Sequence, residues 1–340
     1  MSGPGDVRIG PILVLSAVLT QLGVRPQRAF AQAGVDPRLF EDPDNRIGFE
    51  ALGRLLEVCV ALTGCPHFGL LLGERFDLKS FGPLGYLMRN CATVGAALRS
   101  LLLHLHLHDR GAAPLLLVPD ASYVILGYSI YHHGMSADAQ VYDAAIAIGY
   151  RIMTELCGAG WEVRRVQFSH SRPRHIAPYR RVFGPNLGFD AEVAGIVFDA
   201  SWLDKAIEGA DASLHEIIAK AILAAEANGP MSFGEQVQGV LHQMLLSGTA
   251  STEAVARLFG IHERTLRRRL EAEGLNLLQL TNQARFELAQ QLLENTSLPV
   301  SEIATALRYQ DPNAFSRAFR NWSKVSPTQW RARQWPRPDI

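Results

Sequence analysis

Two stretches of this chain repeat one pattern: residues 251–270 read STEAVARLFGIHERTLRRRL and residues 300–319 read VSEIATALRYQDPNAFSRAF. Val255, Ala256 and Phe259 match Ile303, Ala304 and Leu307; beyond a turn, Leu266 and Leu270 match Phe315 and Phe319. The offset is 48 residues before the turn and 49 after it, so the second turn is one residue longer. Apolar residues at helical spacing on both sides of the turn make each copy a short helix, a turn and a second helix. The small Ala at a fixed place lets the two helices cross closely, and the apolar positions bury their contact. Ser251 and Ser301 (or Thr252) suit the N-cap of the first helix, and Glu253 and Glu302 favour its positive end.

The second helix of each copy then has an inside and an outside. At about 100° per residue, Leu266 and Leu270 define the buried side of 261–273. Arg264 and Arg268 lie opposite, flanked by Thr265 and Arg267. In the second copy Phe315, Phe319 and Trp322 face inward, leaving Asn313, Ser316, Arg317, Arg320 and Asn321 outside. Such residues bond base edges and phosphates in a major groove, Arg to guanine and Asn to adenine. A solvated basic face is the plain alternative for one copy, but its recurrence in both favours double-stranded DNA as the partner. The helix expected over 276–295 is about 28 Å long at 1.5 Å per residue. A spacer of that length suits two reading helices about one DNA turn, near 34 Å, apart.

The formal net charge of the 340 residues is zero, which conceals an asymmetry. Residues 228–340 carry 13 Lys/Arg against 10 Asp/Glu, and residues 1–227 carry 20 against 23. Arg264, Arg267, Arg268 and Arg269 concentrate the basic excess, and phosphate attraction acts only within about 10 Å. The four cysteines form no CxxC pair, as suits buried thiols in a reducing compartment. The apolar stretch 11–19 is too short to span a bilayer and lacks signal-peptide flanks, so a cytoplasmic location without membrane attachment is expected.

The 301–331 segment SEIATALRYQDPNAFSRAFRNWSKVSPTQWR resembles the AraC/XylS family of transcription regulators. The resemblance extends over about 237–331. The family pattern is an S-x-I-A-x-x-L-G-Y core, then F-S-R-x-F-R/K-x-W, then S-P-x-x-Y-R. Arg308 stands here in place of the Gly and Trp330 in place of the Tyr. If the turn residue has positive φ, the Arg costs on the order of 1 kcal/mol. The first copy keeps Gly260 in its turn. This resemblance implies a DNA-binding regulator, with RNA polymerase as a further partner.

Upstream, the first hundred residues read as helical, with apolar spacing over 12–22, 49–62 and 94–105 and Thr93 as a cap. A hairpin is expected from 115–118, a Pro119-Asp120 turn and 123–131; a helix follows over 138–156 and a strand over 163–169. A short helix fits 174–183, and one or two strands fit 188–198. Together they predict an α+β N-terminal domain with a mainly antiparallel sheet, ahead of an all-α C-terminal domain whose two helix-turn-helix units are joined by a long helix. The domains expected are 1–210, a linker helix at 211–229, and 230–335. Leu214, Ile217, Ile218, Ala221 and Ala225 form the linker's apolar stripe, suited to a homodimer contact or to packing on its own domain. Asn228-Gly229-Pro230 ends that helix.

Residues 1–210 resemble the arabinose-binding-type effector domain of a VirS/OruR-like branch, through FGPLGYLMRNCATVGAALRSL at 81–101 and the 168–184 segment. The resemblance implies sensing of a small molecule, dimerisation, or both. Candidate ligand contacts are Tyr86, Arg89, Tyr128, Tyr131, His132, Tyr142 and Arg151, aromatic or cationic groups on neighbouring predicted elements. His104, His106 and His108, with Asp109, have metal-ligand character but equally suit a helix end that favours imidazoles, and no metal is assigned. No cofactor motif occurs: there is no P-loop, GxSxG or HExxH. Two alternatives to a ligand-controlled regulator remain. One is control by oligomerisation or a protein partner. The other is a repair-methyltransferase-like enzyme with the same tail, which needs an activated thiolate that no Cys/His cluster here supplies.

Overall fold

Strands β1 (Asp6–Arg8) and β2 (Arg46–Gly48) pair antiparallel as a small ribbon. Helices α1 (Leu15–Gln21), α2 (Pro26–Ala33), α3 (Phe49–Thr63), α4 (Phe68–Gly73), α5 (Pro83–Arg89) and α6 (Val94–His104) make up half of the first hundred residues. The expected helix over 12–22 is shorter than its apolar pattern, because Pro11 sits in a separate 3-10 turn at Gly10–Ile12. Thr93 caps α6 by accepting from the Ala96 amide.

The main sheet grows from a hairpin of β3 (Ala112–Leu117) and β4 (Tyr123–Ile130). Helix α7 (Asp138–Cys157) follows; then come β5 (Arg165–Gln167), α8 (Ala177–Phe183), β6 (Leu187–Gly188) and β7 (Gly195–Asp199). The strand order is β3-β4-β7-β5-β6, antiparallel except for the β5–β6 pair. Val124 and Leu126 of β4 stand opposite Phe198 and Ile196 of β7, so their buried side chains share one face. The α4 and α7 backbones approach very closely: a Cβ on Gly69 would sit 1.9 Å from the Gln140 carbonyl, and one on Gly73 2.4 Å from that of Ala144. Only glycine allows that crossing.

The structure, a computed structural model, describes residues 5–118, 121–130, 138–191, 193–227, 232–246, 250–295 and 299–334. They divide into two units, 1–229 and 230–340. The first is α+β with a mainly antiparallel sheet and the second is helical, as the sequence pattern predicts. Pro119-Asp120, Asn228-Gly229-Pro230, Tyr131 and His132 lie outside the described residues.

Helix α9 (Ala212–Ala227) packs on α5, the second of the two arrangements its apolar stripe allowed. Asn90 accepts from the Asp211 amide, and Ile222 is buried. The packed face runs through His215, Ile218, Ala219 and Ile222. Of the expected stripe only Ile218 belongs to it; Leu214, Ala221 and Ala225 are exposed and Ile217 is 65% exposed. Apolar spacing alone gave the wrong face because Ile222 and the aliphatic Ile218 define a stripe turned about a quarter revolution away.

The second unit comprises α10 (Phe233–Leu246), α11 (Thr252–Leu258), α12 (Glu263–Ala272), α13 (Leu277–Asn295), α14 (Val300–Ala306), α15 (Pro312–Ser323) and α16 (Pro327–Gln334). Helix α13 packs against α10 on one side and against α14, α15 and α16 on another, so one helix serves both halves.

Candidate functional site

In the first half, Ser251 caps α11 by accepting from the Ala254 amide, and Val255 and Ala256 are buried against α12. Helix α11 ends at Gly260, φ 63°, and the Ile261 amide returns to the Ala256 carbonyl at 3.0 Å. This is the backbone closure of a Schellman-type stop. His262 then caps α12 through a 3.3 Å contact with the Arg264 amide. Leu266 and Leu270 are buried, whereas Arg264, Arg267 and Arg268 are exposed and Thr265 is half-buried. Arg269 turns back over the Phe233 ring at 5.3 Å and is engaged in its own fold.

The second half repeats the path. Ile303 and Ala304 are buried, Arg308 takes φ 61°, and the Tyr309 amide bonds the Ala304 carbonyl at 2.9 Å. Pro299, not Ser301, occupies the N-cap of α14: the helix starts at Val300, which places Ser301 in its first turn without a capping bond. Asp311 caps α15 by accepting from the amides of Asn313 at 2.7 Å and Ala314 at 2.8 Å. Phe315 and Phe319 are buried and Trp322 half-buried; Asn313, Arg317, Arg320 and Asn321 are exposed and Ser316 half-buried. Trp330 of α16 packs on Phe319 at 5.8 Å and donates its Nε1–H to Glu294 of α13, so this residue closes the back of α15.

Among the described residues, Arg264, Arg267, Arg268, Arg317 and Arg320 form no side-chain ion pair or hydrogen bond. An unpaired, solvated guanidinium can exchange water and counterions for a phosphate or a guanine edge at little internal cost.

The first unit encloses a cavity between the sheet, α7, α3 and α6, about 930 Å³ including its opening. Its wall is apolar apart from one end, where His108, Asp109 and Tyr128 meet. The Tyr128 hydroxyl donates to Asp109 Oδ2, and Oδ1 has no partner of good geometry among the described residues. Burial pushes the Asp109 carboxyl up to about 6, although the Tyr128 hydroxyl and the Gly111 and Ala112 amides pull the other way. Burial holds the His108 imidazole down near 3; its Nε2 faces the Phe81 carbonyl at 2.7 Å and its Nδ1 has no partner among the described residues.

Of the ligand contacts expected from sequence, Tyr128 lines this cavity. Tyr142 is buried beside it, rings 6.2 Å apart, with its hydroxyl near the Ile130 amide. Tyr86 and Arg89 point outward from α5, because the buried face of that helix is Leu84, Gly85, Leu87 and Met88. Arg151 is held on the Phe76 carbonyl and beside Glu155. His108 and Asp109 belong to the cavity, a role their place in the LHLHLHD run did not single out. The run is not a strand: α6 ends at His104 and a 3-10 turn carries 105–107, leaving the His104 and His106 rings 6.3 Å apart while His108 is buried. Among the described residues no three His, Cys, Asp or Glu side chains gather as metal ligands. The cysteines are all buried, and burial raises each thiol, Cys59 and Cys157 to about 12, the opposite of an activated nucleophile.

Residues 23–207 match the family described as "Arabinose-binding domain of AraC transcription regulator, N-term", and residues 255–333 match a helix-turn-helix domain family. The chain is 28% identical over 316 residues to the HTH-type transcriptional regulator VirS of Mycobacterium tuberculosis, covering 93% of each. It is 27% identical over 327 residues to the ornithine utilization regulator of Pseudomonas aeruginosa, covering 94% of this chain and 96% of that one. Among solved structures, the transcriptional regulator CdpR of Pseudomonas aeruginosa aligns over 92% of this chain and 98% of its own at 23% identity, with a TM-score of 0.44. Among the described residues no helix is long and apolar enough to cross a membrane.

Proposed function

Because this chain belongs to the AraC family of transcription regulators and carries its helix-turn-helix DNA-binding region, we propose that α12 and α15 read base sequence in two successive major grooves. Arg264, Thr265, Arg267 and Arg268 make the contacts of the first helix; Asn313, Ser316, Arg317, Arg320 and Asn321 make those of the second. The observation that carries this reading is the pair of arginine-bearing faces, both solvated and both backed by a buried apolar side. Helix α13, 19 residues and thus about 28 Å long, supports a spacing of one DNA turn.

Residues 1–210 sense a small-molecule effector, and the 230–335 region carries the DNA contacts. The effector acts by its different affinity for chain conformations that differ in DNA binding. The exposed apolar residues of α9, Leu214, Ile217 and Leu223, support pairing with a second copy, and RNA polymerase is the further partner at the promoter. The site of action is the cytoplasm.

The reading is tested by selecting bound sequences from a randomised DNA pool and measuring their affinity by fluorescence anisotropy. Arg264→Ala or Arg268→Ala should weaken the selected site by about 1–3 kcal/mol while changing non-specific binding much less. Full affinity and selectivity in both variants, and in Arg317→Ala and Arg320→Ala, would refute the assignment of the faces.

A further inference from the structure

Among the described residues, the side chains at the polar end of the cavity offer acceptors and no free donor. His108 donates through Nε2 to the Phe81 carbonyl, which leaves Nδ1 as a lone pair. The hydroxyl proton of Tyr128 is committed to Asp109 Oδ2. Asp109 Oδ1 is buried and makes no well-formed bond among the described residues, although the Gly111 and Ala112 amides lie toward the carboxylate. The nearby guanidiniums are held outside the cavity, although Arg110 keeps a buried Nε–H without a partner among the described residues. Arg46 bonds Asp6 and the carbonyls of Leu107 and His108, Arg8 bonds Asp44, and Arg110 lies 3.9 Å from Asp6. None of the three lines the cavity.

A buried carboxyl with one idle oxygen is costly unless a donor reaches it. The rest of the wall, with Leu52, Leu101, Leu126 and Ile152 as examples, rewards apolar contact only. Small residues keep the space open along α7, where Ala144, Ala145 and Gly149 stand in the lining. Ala145 and Gly149 are only partly buried, as are Val7, Tyr128 and Ile148 of the same lining.

We infer that this cavity binds an amphiphilic amine: an apolar body lying between the sheet and α7, with an ammonium head donating to Asp109 Oδ1 and within the acceptor field of His108 Nδ1. An alcohol supplies one donor where an ammonium supplies three and a compensating charge. A carboxylate head would meet two acceptors and a buried acid, and is rejected. The inference deepens the effector reading above by giving the effector a site and a chemical class.

Calorimetric titration of the full chain with octylamine, 1-octanol and octanoate, with hexyl and decyl homologues to cover length, tests it. Octylamine should bind at least tenfold more tightly than octanol, and octanoate least. Asp109→Asn should cost the amine at least tenfold and leave octanol within about twofold. Ala145→Phe, which fills the space beside α7, should abolish binding of all three. Equal affinity for the three heads, amine binding that survives both substitutions, or no amine binding at any chain length would overturn the inference. Should Asp109→Asn fail to fold, the head-group ranking of the unmodified chain and Ala145→Phe still decide. Titration of selected DNA in the same samples separates the two levels. Amine binding with unchanged DNA affinity keeps the site and removes effector control; selective DNA binding with no amine binding removes the site and keeps the regulator.

Discussion

In the first helix-turn-helix the residue that leaves α11 in the left-handed region is Gly260, at φ 63°; in the second the same place is held by Arg308, at φ 61°. The hydrogen bonds that close the two turns are nearly superposable, Ile261 to Ala256 and Tyr309 to Ala304. Next to the turn the advantage reverses: α15 has a carboxylate cap with two short amide bonds, and α12 has an imidazole at 3.3 Å. The cores differ as well, leucines behind α12 and mutually tilted aromatic rings behind α15. A helix-turn-helix therefore does not need its turn glycine when the cap and the core behind the following helix are strong. The left-handed cost, about 1–2 kcal/mol for a side chain with a Cβ, is comparable to what a good cap contributes.

The largest effects that would test this contrast lie in the cores. Phe319→Ala should destabilise the second unit by about 3–5 kcal/mol and Leu270→Ala by about 2–5. Phe319 should show the larger loss in urea unfolding because Phe286, Phe315 and Trp330 all pack on it. A smaller loss at Phe319 would mean that the aromatic core compensates for nothing. Next come the turns. Arg308→Gly should raise stability by about 0.5–1 kcal/mol, after allowing for the greater freedom of glycine in the unfolded chain, and Gly260→Arg should lower it by about 1. The same sign at both places would break the equivalence of the turns. Caps follow: Asp311→Ala should cost about 1 kcal/mol, and His262→Ala clearly less, in the same unfolding assay.

The smallest expected effect appears with pH and belongs to the side of the unit on which α11 and α12 rest. Glu287 of α13 bonds His242 of α10 at 2.8 Å and also accepts from Gln238 and Gln283. Burial pushes its carboxyl up, but the His242 imidazole and the two amides outweigh that and hold it below the usual carboxylate range. Such a group stabilises fully above its unfolded pKa, about 4.3, and the contribution is lost as pH falls through the lower folded value. Glu287→Gln should flatten the acid limb of stability below about pH 4.5. An unchanged limb would show that the α10–α13 contact does not distinguish the halves in acid.

The tandem units were legible in the sequence because their determinants are local: Ala256 and Ala304, the buried pairs Leu266/Leu270 and Phe315/Phe319, and the arginines opposite them all follow from spacing along one helix. The positive φ of Arg308 was legible for the same reason, once the two copies were aligned. The N-terminal unit was harder. Its hairpin, α7 and the Thr93 cap could be read from periodicity, but the face α9 buries depends on which side of α5 is free. The cavity was not legible. Its polar end joins Asp109 to Tyr128 from different strands and turns, and the LHLHLHD run suggested metal-ligand character for His108 and Asp109 where the fold sets both in the cavity wall. Tyr86 and Arg89 have the chemistry of a binding site, but α5 turns them to solvent.

All four thiols lie in the first unit, at Cys59, Cys65, Cys91 and Cys157, and the second has none. The molecule thus carries its own stopwatch: the rate at which an alkylating reagent consumes sulfhydryls reports opening of residues 1–229 alone. Exposure of the C-terminal rods leaves that clock unmoved, so ligand-induced tightening of one half can be timed in the intact, DNA-bound chain without attaching any label.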